Sequence, residues 1–476
     1  MFDIQTYLQL KGELEVKDRP ESTKQVDAEG LPESIHGVEV ESHCESTEQV
    51  EVESHPETPP LLPQPSRLEI LPAELRSQVL SSLTSPDDLW ATIHASPVLY
   101  QQYRADRKNI LRHVMRNTLG DRVLVDAYAV LKTSPLERPP DLVVDLAVRQ
   151  FIETYQNQSS QSLSMSSKYT MADLLSMAAF YSSTIGPLME KIPEKLLHDL
   201  NSSLQLGHLT AVERTRIIRA LYRFQLWCNL YGDRDGAVPG DEPDDGLDML
   251  VDFFEVFEPW EVEELSCIHL FFVHMYGWVI VDLRCLHGYG DPWPPHSSWV
   301  PVDGTLLLLR DRTTPQPADH TARVSEYRNE RLNGLVSRGL GFHLAVMERN
   351  ITEHHEELHG MIQPPAENAA YVNFISDALS LATQKRRLRD MGPPRRDEAQ
   401  TRGDPMPFRG DDEDAPSAAW AVMWKGRYSN KFGQRLPLRL KTWGYVFWDE
   451  RRLDESRGRK AVLRAMQRHL WPTFPR

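Results

Sequence analysis

The sequence is poor in cysteine. Its 476 residues contain four, Cys44, Cys228, Cys267 and Cys285, and no pair is spaced CxxC. Four thiols in a chain this long make no disulfide framework, so reduced thiols in the cytosol or nucleus are expected. Glycine is also scarce. The 34 prolines outnumber the 25 glycines, which predicts frequent breaks and extended linkers. The glycines around GYGDP (residues 288–292) lack a Walker lysine and a preceding strand, so no phosphate loop is read. There is no G-x-S-x-G elbow. No stretch alternates apolar and polar residues for long; LLLLR (residues 306–310) is too short to assign. The N-terminus lacks a basic region followed by an apolar run, so no signal peptide is expected.

Positive charge is short as well. Lys and Arg number 53 against 69 Asp and Glu, a net charge of −16. Residues 1–60 hold 15 acidic and 4 basic side chains, which leaves −11 on this tail and −5 on the rest. Neither part has the basic footprint of phosphate-backbone binding, so no nucleic-acid partner is expected. One hydrophobic run is long enough to span a bilayer, LSCIHLFFVHMYGWVIVDL at residues 265–283. It contains two histidines and Asp282, follows Glu261, Glu263 and Glu264, and has no flanking Lys/Arg cluster. It reads as a helix in a protein core, with no membrane partner.

Helical patterning fills most of the remainder. Residues 1–65 are Glu-, Ser- and Pro-rich, cannot bury enough apolar surface to order, and are expected to be a disordered acidic tail. The tail repeats VEVESH, from Val38 and from Val50. Order is expected from Ser66, where Leu71, Leu75, Val79 and Leu83 fall at steps of four with Leu80 beside them. Ser85-Pro86-Asp87-Asp88 and Ser96-Pro97 are helix starts, and the second helix is expected to stop at Gly120. Thr170 with Asp173, and Thr210 with Glu213, have capping-box spacing. Pro259 opens the long apolar helix. Residues 392–416 are charged and Pro-rich and read as a disordered linker. Beyond them Trp443, Val446 and Phe447 share one side of a Trp-rich C-terminal helical segment, for which core packing is the default.

Two segments carry candidate chemistry. His355-Glu356-Glu357-Leu358-His359 has the letters of H-E-x-x-H, in which two imidazoles one turn apart bind zinc and the glutamate acts as base. Here Glu357 is charged where zinc proteases place an apolar residue, and Glu353, His354 and Glu356 make the helix surface polar. A solvated helix end is the favoured reading, and no metal or other cofactor is assigned. Cys228 and Cys267 lie in apolar runs as packing, and no enzyme activity is expected.

The second segment spans residues 71–103. Leu71-Pro72-Ala73-Glu74-Leu75, then Val79-Leu80 and Leu83, then Asp87-Asp88-Leu89, then Ser96 with Tyr100 or Tyr103, together resemble an F-box. Two features depart from the family. Pro97-Val98-Leu99-Tyr100 replaces its usual Lys/Arg-Trp, and no Leu-rich, WD or kelch repeats follow. With HASP at residues 94–97 and the late WGYVFWD at residues 443–449, the layout is similar to a group of fungal F-box-like helical proteins. The resemblance implies docking to the small Skp-type adaptor of a cullin-type ubiquitin ligase, with contacts from Leu71, Pro72, Leu75, Val79, Leu80, Leu83 and Leu89. The expected fold is all-α: an F-box-like unit (66–120), a large irregular helical domain (121–391), and the C-terminal segment (417–476) packed on it. A helical scaffold with no ubiquitin role is the alternative. A zinc hydrolase using His355, Glu356 and His359 is the remote one.

Overall fold

The computed structural model describes residues 66–134, 143–159, 169–200, 207–232, 253–287, 332, 334–362, 375, 395–430 and 438–469. The expected acidic tail with its duplication, the loop after Gly232 and the run at 306–310 lie outside these. The described residues are helical, with one isolated bridge between Pro405 and Arg427. No described helix is long and apolar enough to cross a membrane.

Local chemistry sets the helix starts. α1 (Ala73–Ser81) follows the Leu71-Pro72 corner. Ser85 accepts from the Asp87 backbone at 3.1 Å and Pro86 takes the first position of α2 (Pro86–His94). Ser96 accepts from Leu99 N at 3.3 Å ahead of α3 (Pro97–Ala105). Both expected capping boxes are present, Thr170/Asp173 before α6 (Met171–Phe180) and Thr210/Glu213 before α8 (Ala211–Tyr231). A π-helical turn, Tyr181–Ile185, joins α6 to α7 (Gly186–Leu200).

The sequence places a helix end at Gly120, and the helical conformation is interrupted there. The chain also breaks earlier, at Asp106, and α4 (Arg107–Thr133) is two helical stretches that meet in a kink at Gly120. Gly120 has φ 72° and ψ 168°, a conformation open to glycine and few other residues. The glycine therefore ends one helical stretch and redirects the chain into the next. The chain divides into two units, Met1–Arg76 and Ser77–Arg476. Leu80, Leu89, Ile93 and Ile110 belong to the same apolar core as the later helices.

Within the second unit α8 is central and packs on α4 and on α9 (Pro259–His287). α5 (Val143–Ser159) and α6 lie against α4. Every residue from 216 to 230 except Gln225 is buried, as expected of a helix enclosed on all sides. Two short helices follow, α10 (Leu340–Met347) and α11 (His355–Ile362), separated by turns.

The C-terminal part differs from expectation in two ways. Residues 395–416 are not a free linker: α12 (Arg395–Arg402) precedes a segment whose Asp412 and Glu413 carbonyls accept from buried Arg216 and Arg219 at 3.0 and 2.6 Å. Partners some two hundred residues away supply the order that local composition lacks. The Trp-rich stretch is core but not one helix. α13 (Ala418–Met423) and the short α14 (Leu438–Lys441) come first, residues 442–448 turn, and α15 (Glu450–Glu455) and α16 (Gly458–His469) follow. Trp443, Tyr445, Val446, Phe447 and Trp448 are all buried.

Candidate functional site

The seven leucine-stripe residues do not share one environment. Pro72 is exposed and Leu75 is 43 % exposed, while Leu71, Val79 and Leu83 are half-buried. Leu80 is 0 % exposed and Leu89 2 %. These last two are corrected: enclosed by the chain's own core, they are closed to a second protein. Successive helical residues are about 100° apart, so Val79 and Leu80 look in different directions. Leu83 also packs against the core.

The exposed apolar surface lies partly elsewhere than the stripe. Leu68 is 43 % and Ile70 68 % exposed, just before the Leu71-Pro72 corner. Backbone and side-chain bonds shape this stretch. Glu69 Oε2 accepts from Ser66 N at 2.7 Å, and Arg76 donates to Glu69 O at 2.9 Å. Spacing on a helix did not reveal Leu68 and Ile70, because they precede it.

A second cluster is buried and was not foreseen. Arg216, Arg219 and Arg223 project from α8 at steps of three and four. Arg219 Nε and Nη2 meet Glu264 Oε2 and Oε1 at 3.0 and 2.7 Å. Arg223 Nη1 lies 3.2 Å from Glu261 Oε1, and its Nε 3.2 Å from Asp126 Oδ2. Arg216 Nη1 reaches Asp449 Oδ1 at 3.1 Å. Lys441 pairs with Glu263 at 3.2 Å, and Arg452 with Glu213 at 2.7 Å. Burial pushes the Glu261 carboxyl up, but Arg223 and Arg219 outweigh it and hold it at about 2. These pairs join α4, α8, α9 and the C-terminal segment. With its charges paired internally, the cluster is a fastening rather than an open site.

The zinc candidate gains nothing from the fold. His355 and His359 are half-buried on α11 and Glu356 is exposed. Glu357 is held by Arg349 at 2.6 Å. Among the described residues no three His, Cys, Asp or Glu side chains are grouped to hold a metal ion. Cys228 and Cys267 are buried free thiols, pushed up in pKa by burial, which leaves them poor nucleophiles.

No known family model matches the chain, and no curated protein or solved structure matches it.

Proposed function

We propose that this chain is a protein-interaction module that docks the small Skp-type adaptor of a cullin-type ubiquitin ligase through the residues on and just before α1. The observation that carries the reading is the distribution of exposed apolar side chains. Among the described residues six large hydrophobic side chains are exposed, and three of them, Leu68, Ile70 and Leu75, fall within eight consecutive positions. Scattered exposed apolar residues are ordinary, whereas clustered ones mark surfaces that another protein covers. Leu71, Pro72 and Val79, each at least partly accessible, extend the same stretch. The helical body then serves to present a target.

The burial of Leu80 and Leu89 favours a second reading, a helical scaffold in which these helices only complete the core. Co-purification of the full chain with recombinant adaptor separates the two. Docking predicts that adaptor is retained by the wild-type chain and lost with Leu71→Ala and Pro72→Ala. No retention by the wild-type chain supports the scaffold.

A further inference from the structure

We propose that the chain pairs with a second copy of itself, the acidic strap at residues 411–414 of each copy meeting the cationic face of α16 of the other. The inference goes beyond adaptor docking and does not depend on it. Asp411, Asp412, Glu413 and Asp414 are consecutive and all exposed. The strap is held by its backbone, since the Asp412 and Glu413 carbonyls accept from Arg216 and Arg219 at 3.0 and 2.6 Å. Their carboxylates are thereby left outside the core. Arg122 matches Asp414, and Asp411 accepts from Glu450 N at 3.2 Å. Asp412 accepts from Asp414 N at 2.8 Å. Among the described residues no cation pairs with the carboxylate of Asp412 or Glu413, and Arg409 borders the strap unpaired.

The opposite charge stands nearby. α16 buries Gly458, Val462 and Met466 and exposes Lys460, Leu463 and Arg464 on its other side. Exposed Arg457 precedes it. Among the described residues Arg457, Lys460 and Arg464 enter no ion pair, whereas Arg459 is taken up by Glu450 at 2.7 Å and Asp454 at 2.5 Å. Leu463 is 43 % exposed beside these cations. The two poles adjoin through α15: Glu450 donates its N–H to Asp411 and accepts from Arg459 of α16. Within one copy the poles do not pair. A patch whose neighbouring halves differ in sign is complementary to itself after a two-fold rotation, which sets each pole against its opposite in the second copy. Leu463 adds an apolar contact among the charges. The net charge of −11 on residues 1–60 repels one copy from another, and salt screens that repulsion together with the attraction. Exchange of charge between the poles is therefore the direct readout.

The test is sedimentation velocity of the full chain over a concentration series, for wild type, Asp412→Lys/Glu413→Lys, Lys460→Glu/Arg464→Glu, and an equimolar mixture of the two variants. The wild-type chain should dimerise. Each variant alone places like charges against each other and should dimerise at least about tenfold more weakly. The mixture restores opposite charge at both contacts and should dimerise within about threefold of wild type. Leu463→Ala, which changes no charge, should also weaken the dimer. A wild-type chain that stays monomeric throughout overturns the proposal and leaves each pole to a different partner of opposite charge. A dimer indifferent to both reversals, or a mixture of variants with unchanged helical circular-dichroism signals that fails to dimerise, overturns it as well. Should a reversal unfold the chain, Asp412→Asn/Glu413→Gln and Lys460→Gln/Arg464→Gln take its place; each should weaken the dimer, and an undiminished dimer overturns the proposal.

Discussion

Arg219 grips Glu264 with two parallel bonds, 3.0 Å from Nε and 2.7 Å from Nη2, and neither side chain is more than 2 % exposed. Glu261 also faces this arginine, at 3.5 Å, and the Glu413 carbonyl accepts from its remaining nitrogen. Removing one member strands a charge in the core. Arg219→Ala is therefore expected to cost about 3–5 kcal/mol of unfolding free energy. Arg219→Met combined with Glu264→Leu should recover much of that loss. Urea unfolding of the two single variants and the double variant checks this. A double variant no more stable than the single ones would show that the pair itself, and not the orphaned charge, sets the stability.

Gly120 and Gly277 should respond to alanine with opposite signs. Gly120 sits at φ 72° within α4, where a side chain is strained although no atom lies within 4 Å of a Cβ placed there. Gly120→Ala should destabilise by about 1–3 kcal/mol. Gly277 lies inside α9 with open space around its Cβ position, and Gly277→Ala should stabilise by about 0.5–1 kcal/mol. Chemical denaturation of both variants provides the comparison. Equal effects would mean that the kink is not held by the glycine.

Two buried histidines make stability sensitive to pH. Burial lowers His269 and His343 from 6.5 to about 3, with Lys441 adding to the effect at His269. Both are thus neutral in the fold at pH 7, and the imidazole of His343 lies 2.7 Å from the Tyr276 hydroxyl and 3.0 Å from Val336 O. A depressed folded-state pKa means that the unfolded chain takes up protons first. Stability is then complete above pH 6.5 and lost as pH falls toward 3, with a slope of about 1.4 kcal/mol per pH unit for each group. Asp126 and Glu264, raised by burial, take up protons more readily in the fold and oppose this loss. His343→Gln should therefore lose less stability than wild type between pH 7.5 and 5.5 in matched urea titrations. Parallel titrations would remove His343 from the account.

Much of the helical architecture was legible because its signals are local. Ser85, Ser96, Thr170 and Thr210 cap helices where their hydroxyls meet the next turn's N–H groups, and Pro259 opens α9 as read. Long-range partners were not legible. Nothing near Asp412 in the sequence shows that Arg216 orders its carbonyl. The arginine ladder left a trace: Arg216, Arg219 and Arg223 stand among apolar residues of α8 at steps of three and four, and Glu261 and Glu264 offer the opposite charge. Those glutamates served only to argue against a membrane span, because pairing them with α8 requires knowing that the two helices touch. On α1 the period of four grouped Leu75 with Val79, but it could not tell that Leu80, beside them, turns into the core.

The docking account stands most directly on Leu75 and Leu80, the exposed and buried members of one helix. Calorimetric titration of the full chain with purified adaptor, paired with urea unfolding of each variant, tests it. The expectation is that Leu75→Ala weakens adaptor binding about tenfold or more while unfolding like wild type, and that Leu80→Ala loses about 2–5 kcal/mol of stability. Undiminished adaptor binding by a folded Leu75→Ala chain would contradict the account.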